Sequence, residues 1–449
     1  MSSNLLPSDA IATSAVHPVF MEQAKALVCG GELLPGGIEP LARRLQKAAD
    51  TQTPLRVKLG LDPTRPDLHL GHSVVLKKLR MFQDLGHQAV LIIGDATALI
   101  GDPSGKNQTR PPLSPQEVDE NAQTYLAQAG KIILVNRAEI LRNSQWLGTL
   151  SLSDWLQLAS MVTVAQLLVR DDFAKRYKAN QPIALHELLY PMMQGYDSVA
   201  VGADIELGGT DQRFNNLMGR ELHQSWMQRQ LPPPFHPEVP KMAQLVLLLP
   251  LLEGTDGVIK MSKSYPQHCI NLTDEPADMF GKLMSIPDNM ILRYEELLMP
   301  LNEAQLAQHA DMLKKPADQG GMNPRDMKAH LAKWLVATYH SPECAEAAEV
   351  AFNQLFRNKQ LPDDMPEISL PANTSIDIPS LLVEHALSAS KGEVRRLMVG
   401  GGLRVRYPER PADEGQKLLE PEQPLAGQPP GAAIVIQAGK RKFLKLNFQ

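Results

Sequence analysis

Hydrophobic positions in the first half of the chain follow two alternating periods. Unbroken apolar runs at 55–61 and 89–93 flank an amphipathic segment at 73–85 with helical spacing. The pattern then repeats, with short apolar runs at 131–135, 205–207 and 246–251 and helical stretches at 155–169, 183–198 and 211–229. Strand–helix–strand units form parallel sheets with right-handed crossovers. The sequence therefore predicts an α/β fold, a doubly wound Rossmann-like parallel sheet, over residues 51–270.

The segments on either side of this domain have different patterns. Residues 1–50 predict an N-terminal helical arm, and five amphipathic segments within 271–358 predict a helical domain. An extended linker is expected over 359–377, because acidic and small polar residues surround the prolines of 359–379, namely Pro362, Pro366, Pro371 and Pro379. Residues 378–449 then predict a small α+β domain with two short helices, a strand and a closing hairpin.

Composition narrows the class of protein. Hydrophobic residues make up 43% and charged residues 21% of the 449, which is typical of a soluble globular protein. Apolar stretches such as 244–252 fall short of the ~20 residues that cross a bilayer, and no leader-like segment begins the sequence. We therefore expect a cytoplasmic location and no membrane association. The widely spaced Cys29, Cys269 and Cys344 predict neither a disulfide framework nor a protein-held metal.

Charge is unevenly distributed along the chain. The formal net charge is −5, yet residues 391–449 contain 11 Lys and Arg against 6 Asp and Glu. A basic end on an acidic body is typical of a protein whose end contacts a polyanion. A solvated basic surface is the alternative interpretation of the same charge pattern.

A first candidate site lies between the first predicted strand and helix. Residues 62–72 read Asp-Pro-Thr-Arg-Pro-Asp-Leu-His-Leu-Gly-His. His69 and His72 at a helix start can both donate to a phosphate, and Gly71 permits close approach of a nucleotide. A capping or structural role is the alternative for such a histidine pair.

A second candidate site is the sequence Lys-Met-Ser-Lys-Ser at 260–264, which follows a glycine-containing turn. Two lysines and two hydroxyl groups on a loop can neutralise a triphosphate and the charge that develops on a leaving pyrophosphate. A solvated basic loop is the alternative, but the histidine turn earlier in the chain favours the functional interpretation.

Together these motifs resemble the two signatures of class I aminoacyl-tRNA synthetases. Further blocks resemble the tyrosyl-tRNA synthetases, namely Gly-Leu-Asp-Pro-Thr at 60–64, Gly-Asp-Pro-Ser-Gly-Lys at 101–106, Tyr-Pro-Met-Met-Gln-Gly-Tyr-Asp at 190–197 and Gly-Gly-Thr-Asp-Gln at 208–212. The resemblance extends from about residue 33 to the C-terminus. It implies a tyrosine–tRNA ligase that forms tyrosyl-adenylate and then charges tRNA.

The resemblance also implies roles for individual residues. ATP is expected to contact Asp62, Thr64, His69, Gly71, His72, Lys260, Met261, Ser262, Lys263 and Ser264. The catalytic residues among them are His69, His72, Lys260 and Lys263. Tyrosine is expected to contact Asp102, Tyr190, Gln194, Asp197, Asp211 and Gln212. Tyr190, Gln194 and Asp197 are spaced i, i+4 and i+7, so one helix face can present all three. Mg²⁺ is expected to accompany the triphosphate, held mainly by phosphate oxygens.

Lys58 differs from many tyrosyl enzymes, which have a tyrosine two residues before the glycine equivalent to Gly60. A bacterial subset resembles this chain more closely and includes the lysine. Either Lys58 supplies the second contact to the phenol, or its ammonium points elsewhere from the strand.

Residues 378–449 resemble a small RNA-binding fold shared with a ribosomal small-subunit protein. Lys391, Arg395 and Arg396 lie on one predicted helix and suit phosphate contacts on tRNA, with a solvated basic helix as the alternative. The family is homodimeric. Residues 140–185, with Trp146 and nearby apolar side chains, are the candidate dimer-forming insertion, although such faces also form plain core.

Three other functions share part of this pattern. Tryptophanyl-tRNA synthetases have both signatures, but are not expected to carry Asp197 or the C-terminal domain. Small-molecule nucleotidyltransferases share the signatures without needing a basic RNA-binding end. An RNA-binding protein derived from an inactive synthetase is the third alternative, and the intact His69, His72, Lys260 and Lys263 argue against it.

Overall fold

The computed structural model describes residues 15–102, 114–229, 242–262, 265–356, 365–407, 415–420, 424–439 and 442–449. Its strands are β1 Glu32–Leu34, β2 Arg56–Leu61, β3 Gln88–Ile93, β4 Ala138–Arg142, β5 Ile205–Gly209, β6 Leu245–Leu249, β7 Glu367–Leu370, β8 Leu403–Arg406, β9 Gln416–Lys417, β10 Ala433–Ala438 and β11 Lys442–Phe448.

The helices before β5 are α1 Pro18–Val28, α2 Glu39–Thr51, α3 Leu70–Asp84, α4 Asp95–Ile100, α5 Pro115–Ala129, α6 Ser144–Leu147, α7 Leu152–Ala159, α8 Val164–Leu168, α9 Asp171–Lys178 and α10 Leu185–Ala200. Those after β5 are α11 Arg213–Gln228, α12 Pro276–Met284, α13 Ile291–Leu298, α14 Glu303–Lys314, α15 Pro324–Tyr339, α16 Pro342–Phe356, α17 Ile378–Glu384 and α18 Lys391–Val399. No helix among the described residues is long and apolar enough to cross a membrane.

The described residues form two compact units. The first extends through Thr273 and includes Leu292–His309, and the second comprises Asp274–Ile291 and Ala310–Gln449. Residues 271–358, predicted as one helical domain, are therefore divided between the units. A hydrogen bond connects α13 to the first unit. The Tyr294 hydroxyl donates to the Glu253 carbonyl at 2.8 Å.

The first unit contains the predicted parallel sheet. Its strand order is β1-β6-β5-β2-β3-β4, and every neighbouring pair is parallel except β1 with β6. From the centre of the sheet, β2, β3 and β4 follow one another toward one edge, and β5 and β6 follow one another toward the other. The direction of winding therefore changes between β2 and β5. In doubly wound sheets, ligands bind beyond the carboxyl ends of the strands at such a switch point.

A described core of this unit packs helices against β3 of the sheet. Val90 and Ile92 of β3 pack with apolar residues of α10 and α11, including Met192, Tyr196, Met218, Leu222 and Trp226. α10 and α11 cross closely, because a Cβ on Gly195 would lie 2.7 Å from Leu222 Cδ1 and 3.2 Å from Gly219 Cα. This close contact with α11 fixes the position of α10 over the switch point.

Three details of the first unit differ from the sequence predictions. The N-terminal arm includes β1, which joins the sheet as an antiparallel edge. The fourth sheet strand is Ala138–Arg142, whereas the predicted run at 131–135 forms turns after α5. β4 is an edge strand that is intermediate in burial at every residue, so it has no clear apolar pattern. The predicted helix at 155–169 is two helices, because Thr163 caps α8 as a new start.

The second unit ends in a five-stranded sheet of order β7-β11-β10-β8-β9. β7 lies inside the predicted linker 359–377 and pairs in parallel with β11, so the described part of that segment belongs to the domain. The reason is a short alternation that the flanking prolines obscured. Ile368 and Leu370 pack on the core of α17, α18 and the sheet, while Glu367 and Ser369 are exposed.

Candidate active site

α10 presents three polar side chains toward the carboxyl edge of the sheet. Tyr190, Gln194 and Asp197 occupy the predicted single face, and Tyr190 and Asp197 are each only 4% exposed. The Arg176–Glu187 ion pair stabilises the first turn of α10, with the Glu187 side chain 3% exposed. The helix is therefore anchored at its start and packed along its length, which fixes the direction of these side chains.

Asp62 follows β2 directly and receives two hydrogen bonds. The Tyr190 hydroxyl donates to Oδ2 and the Thr97 hydroxyl to Oδ1, each at 2.8 Å. A glycine is needed beside them, because a Cβ on Gly94 would lie 2.0 Å from Asp62 Oδ1. Burial raises the pKa of Asp62 to about 7, against the lowering effect of the two hydrogen bonds.

Asp197 has a similar environment on the other side of this site. Trp146 Nε1 donates to Oδ1 at 2.8 Å and Asn143 Nδ2 to Oδ2 at 3.3 Å. Burial again raises the pKa to about 7, while the nearby Lys58 ammonium acts in the opposite direction. Asn143 Nδ2 also donates to Thr97 Oγ1 at 3.0 Å, so one chain of hydrogen bonds connects Asp197 with Asp62.

Asp102 lies in a second polar group at the same end of the sheet. Gln212 Nε2 donates to its Oδ2 at 2.8 Å, and Arg170 Nη2 is 3.6 Å from its Oδ1. Asn215 Nδ2 donates both to Gln212 Oε1 at 2.9 Å and to Gln194 Oε1 at 3.0 Å. The structure thus brings Asp102, Gln194 and Gln212 together, as the predicted tyrosine site requires.

Five residues of these networks were not found from the sequence, namely Thr97, Asn143, Trp146, Arg170 and Asn215. Trp146 had been assigned to the dimer-forming insertion as part of an apolar helix. It is instead 2% exposed and donates to Asp197, so it belongs to the core and the site. Arg170 lies in the same insertion and its side chain is 5% exposed. A buried arginine indicates a nearby carboxylate, because a buried positive charge needs an ionic partner.

The histidine turn caps α3. His69 is the N-cap residue, and its Nδ1 accepts from the Gly71 N–H at 3.1 Å. His72 Nδ1 accepts from the His69 N–H at 3.2 Å. Because Nδ1 accepts a hydrogen bond in both rings, Nε2 is the nitrogen of each ring that carries a proton and can donate. Capping and phosphate binding are therefore compatible roles for the two histidines.

The lysine loop begins beside this turn. A Cβ on Gly71 would lie 3.9 Å from Met261 Cβ, so the loop and the start of α3 approach each other. Lys260 Nζ is 3.0 Å from Asp211 Oδ2, and the lysine side chain is 39% exposed. Ser262 follows Met261 in the described chain, whereas the predicted Lys263 and Ser264 lie outside the described residues.

The two remaining residues near β2 differ in burial. Thr64 is half-buried in the turn after β2, where its N–H donates to the Asp62 carbonyl at 2.8 Å. Lys58 is fully buried and its ammonium donates to Glu206 Oε1 at 2.8 Å. Of the two interpretations left open by the sequence, the described contacts favour an ammonium that is turned toward Glu206.

The predicted RNA-binding residues belong to the second unit. Lys391, Arg395 and Arg396 are exposed on α18, while Val394 and Met398 of the same helix pack into the core. Ser390 caps the helix by accepting from the Glu393 N–H. The three basic side chains therefore form an exposed surface on an ordered helix.

This arrangement can bind the ammonium group of an amino acid and an anionic nucleotide side by side. Asp62, Asp102 and Asp197 concentrate negative charge in the pocket, and the electrostatic effects of Asp102 and Asp197 raise the pKa of Asp62 further. The N-terminus of α3 and Lys260 offer donors and positive charge for phosphate groups. Among the described residues, no group of three or more His, Cys, Asp or Glu could hold a metal ion.

Comparisons with known proteins agree with this geometry. The sequence model of the family described as tRNA synthetases class I (W and Y) matches residues 50–357. The tyrosine–tRNA ligase of Bdellovibrio bacteriovorus is 44% identical over 408 residues, which is 91% of this chain and 94% of that protein. The tyrosine–tRNA ligase of Bordetella pertussis is 47% identical over 405 residues, covering 90% and 91%.

The fold is also found in solved structures. A C-terminally truncated mitochondrial tyrosyl-tRNA synthetase from Aspergillus nidulans superposes with a TM-score of 0.58, covering 75% of this chain and 94% of that one at 19% identity. This likeness confirms the predicted α/β fold. Together with the sequence matches, it leads to the conclusion that the chain belongs to the class I tRNA synthetases of the tryptophan and tyrosine group.

Proposed function

We propose that the chain is a tyrosine–tRNA ligase, which activates tyrosine with ATP, releases pyrophosphate and transfers the tyrosyl group to the 3′ end of tRNA(Tyr). The observation that carries this proposal is the buried Asp197, which accepts hydrogen bonds from Trp146 and Asn143 on the same α10 face as Tyr190 and Gln194. The name shared by relatives at 44–47% identity supports it.

Tyrosine would lie between the two polar groups of the pocket. Its ammonium would contact Asp102, Tyr190 and Gln194, and its phenolic hydroxyl would donate to Asp197. A carboxylate has room for a further donor beside those of Trp146 and Asn143. Phenylalanine would leave this acid without the bond, and tyrosine against phenylalanine is the established example of discrimination by a missing hydroxyl. The remaining predicted contacts, Asp211 and Gln212, follow β5 at the switch point.

ATP would lie over the start of α3. The tyrosine carboxylate is already an anion when it attacks the α-phosphorus, so no general base is required and positioning and charge stabilisation dominate. His69 and His72 would donate to the phosphate in the transition state, with Thr64 and Gly71 nearby. Asp62 would face the adenylate.

The lysine loop would bind the other end of ATP. Lys260 and Lys263 would hold the β- and γ-phosphates, flanked by Met261, Ser262 and Ser264. In the described structure Lys260 is paired with Asp211, so it would exchange that carboxylate for phosphate when ATP binds. Mg²⁺ would arrive with ATP, whose phosphate oxygens supply the hard ligands this ion prefers.

Amino-acid specificity provides the first test. We expect tyrosine alone among the twenty amino acids to support ATP–pyrophosphate exchange on the purified protein. Exchange with tryptophan would keep the mechanism and overturn the specificity assignment. Absence of exchange with every amino acid would instead favour an RNA-binding protein without synthetase activity.

Asp197→Asn tests the phenol contact. The kcat/KM for tyrosine in pyrophosphate exchange is expected to fall by about 10- to 100-fold, because a hydrogen bond to a charged group is worth about 1.5–3 kcal/mol. The value for phenylalanine should change little, so discrimination falls by the same factor. Asp204→Asn is the matched control, because Asp204 is a half-buried carboxyl with a raised pKa that accepts from the Arg56 N–H. Equal discrimination in both variants would contradict the assignment.

We further propose that α18 binds tRNA(Tyr) through phosphate contacts. The triple variant Lys391→Ala/Arg395→Ala/Arg396→Ala should leave pyrophosphate exchange unchanged and raise the KM for tRNA. The salt dependence of tRNA binding should also become shallower, because fewer counterions are released. Lys25→Ala/Lys47→Ala/Lys315→Ala changes net charge equally at exposed sites elsewhere. An equal loss of tRNA binding in that control would reduce the role of α18 to general electrostatics.

We also propose a homodimer. Large apolar side chains with exposed fractions from 62% to 76% lie within residues 152–185 of the first unit, namely Leu152, Leu156, Val164, Val169, Tyr177 and Leu185. Exposed apolar groups in such number are typical of a protein interface. They, rather than Trp146, are the candidate contacts within the predicted insertion.

A cytoplasmic location also stays a prediction.

Leu152→Glu/Leu156→Glu should convert the dimer to a monomer, because each copy would bring buried negative charge into a symmetric interface. Light scattering coupled to size-exclusion chromatography at micromolar concentration measures this change. Val350→Glu/Val399→Glu places the same charges at exposed apolar positions of the second unit. If both double variants keep the mass of the unmodified protein, this surface is not the interface.

A further inference from the structure

A buried ion pair lies beneath the pocket helix. Lys58 and Glu206 face each other across the parallel pair β2 and β5, where they are direct register partners. Their side chains are only 1% and 2% exposed, and Lys58 Nζ is 2.8 Å from Glu206 Oε1. Strand interiors of such sheets are normally apolar, so a charged pair at this position requires a specific explanation.

The ammonium of Lys58 has no donor left for a substrate. Besides Glu206, it donates to the backbone carbonyl of Gln194 at 3.0 Å and to Ser198 Oγ at 2.9 Å. An ammonium has three N–H groups, and these three acceptors use all of them. Two of the acceptors belong to α10, one at Gln194 itself and one directly after Asp197. Lys58 therefore connects the central strand to the helix turn that carries the proposed tyrosine contacts.

Glu206 is fixed as tightly as its partner. Its Oε2 accepts from Ser198 Oγ at 3.0 Å and from Gln244 Nε2 at 2.7 Å. The cluster is also closed from above, because a Cβ on Gly219 would lie 3.0 Å from both Glu206 Oε2 and Gln244 Nε2. Ser198 of α10 is bonded to both charged groups, so the position of this turn of α10 depends on both of them.

The pair also acts on Asp197 through its charges, with opposite signs. Lys58 lowers the pKa of Asp197 and Glu206 raises it, and the effect of Lys58 is the larger. The other titratable groups that interact with Asp197 or with the pair are Asp62 after β2, Tyr190 on α10 and His223 on α11. The largest effects on the pKa of Asp62 come from burial, from its hydrogen bonds with Tyr190 and Thr97 and from the charges of Asp102 and Asp197, so a change in the pair should act mainly on Asp197.

We infer that Lys58 and Glu206 are positioning residues for tyrosine recognition: they hold the Gln194–Ser198 turn of α10 in place and set the charge that Asp197 presents to the phenol, without touching the substrate. This inference rests on the proposed tyrosine–tRNA ligase function. Under this inference, Lys58 and Glu206 have opposite electrostatic effects on Asp197. If the ion pair were purely structural, the loss of either residue would have the same effect.

The pH profile of kcat/KM for tyrosine in pyrophosphate exchange tests this assignment. In the unmodified protein the profile should rise with pH around 7, because the phenol hydroxyl donates to ionised Asp197. Lys58→Met should move the midpoint upward by about 1 pH unit, and Glu206→Gln should move it downward. Glu206→Gln keeps acceptor and donor atoms within the cluster, so it is the milder of the two changes.

The double variant Lys58→Met/Glu206→Gln guards against misfolding, since it leaves no unpaired charge in the interior. Its midpoint should lie between those of the single variants and slightly above that of the unmodified protein, because Lys58 has the larger effect. Arg176→Met is the matched control. It breaks the ion pair between Arg176 and Glu187 of α10, so it should lower thermal stability without moving the midpoint of the pH profile.

The outcomes separate the inference from the function on which it rests. Midpoints that shift in opposite directions for Lys58→Met and Glu206→Gln support the assignment. Unchanged midpoints, or shifts in the same direction in the variants that fold, overturn it and leave the ligase function intact. If Lys58→Met does not fold, a double variant with a midpoint above that of Arg176→Met decides in favour, and one at or below it decides against. Absence of tyrosine-dependent exchange in the unmodified protein overturns the function itself.

Discussion

The site depends on keeping the carboxyl groups of Asp62 and Asp197 buried beside each other without a dedicated cation for each. Both acids accept hydrogen bonds from neutral donors, the Tyr190 and Thr97 hydroxyls in one case and the Trp146 and Asn143 N–H groups in the other. These donors stabilise the ionised forms, but burial has the larger effect and raises each pKa to about 7. The pocket is therefore chemically incomplete. In the proposed complex, the phenol hydroxyl would supply a further donor to Asp197, and the ammonium would add positive charge beside the neighbouring Asp102.

The sheet provides this arrangement because of where its winding reverses. β2 and β5 are neighbours at the switch point, and the residues after their carboxyl ends are Asp62 on one side and Asp211 with Gln212 on the other. α10 supplies the third side and approaches closely because Gly195 and Gly219 have no side chains at its crossing with α11. The nucleotide side is built by α3, whose N-terminus begins directly beyond β2. One topological feature thus places an acidic pocket next to a phosphate-binding helix start.

The sequence predicted those features that depend on local spacing. The i, i+4, i+7 pattern placed Tyr190, Gln194 and Asp197 on one helix face, and the apolar runs located β2 and β3. It did not predict the partners of the acids, because Thr97, Asn143 and Trp146 reach them from separate elements that only the folded chain brings together. Strands with weak apolar patterns were missed for a related reason: β4 is a half-buried edge, and β7 is four residues between prolines. The direction of the Lys58 ammonium also depended on a residue 148 positions away.

Burial of Asp62 and Asp197 makes the stability of the ligand-free fold depend on pH. Each has a pKa of about 7 in the folded chain against 3.8 ordinarily, so the unfolded chain releases its protons first as the pH rises. The stabilising contribution of each protonated acid is therefore complete below its ordinary pKa and is lost as the pH passes through 7. A cationic ligand binds the ionised form, so its stabilising effect grows over the same range. The Lys58–Glu206 pair acts within this balance, because its net effect favours the ionised form of Asp197 while its hydrogen bonds hold α10 rigid. The buried Lys58–Glu206 ion pair below the pocket thus permits Asp197 to be ionised within the pocket without an ion-pair partner of its own.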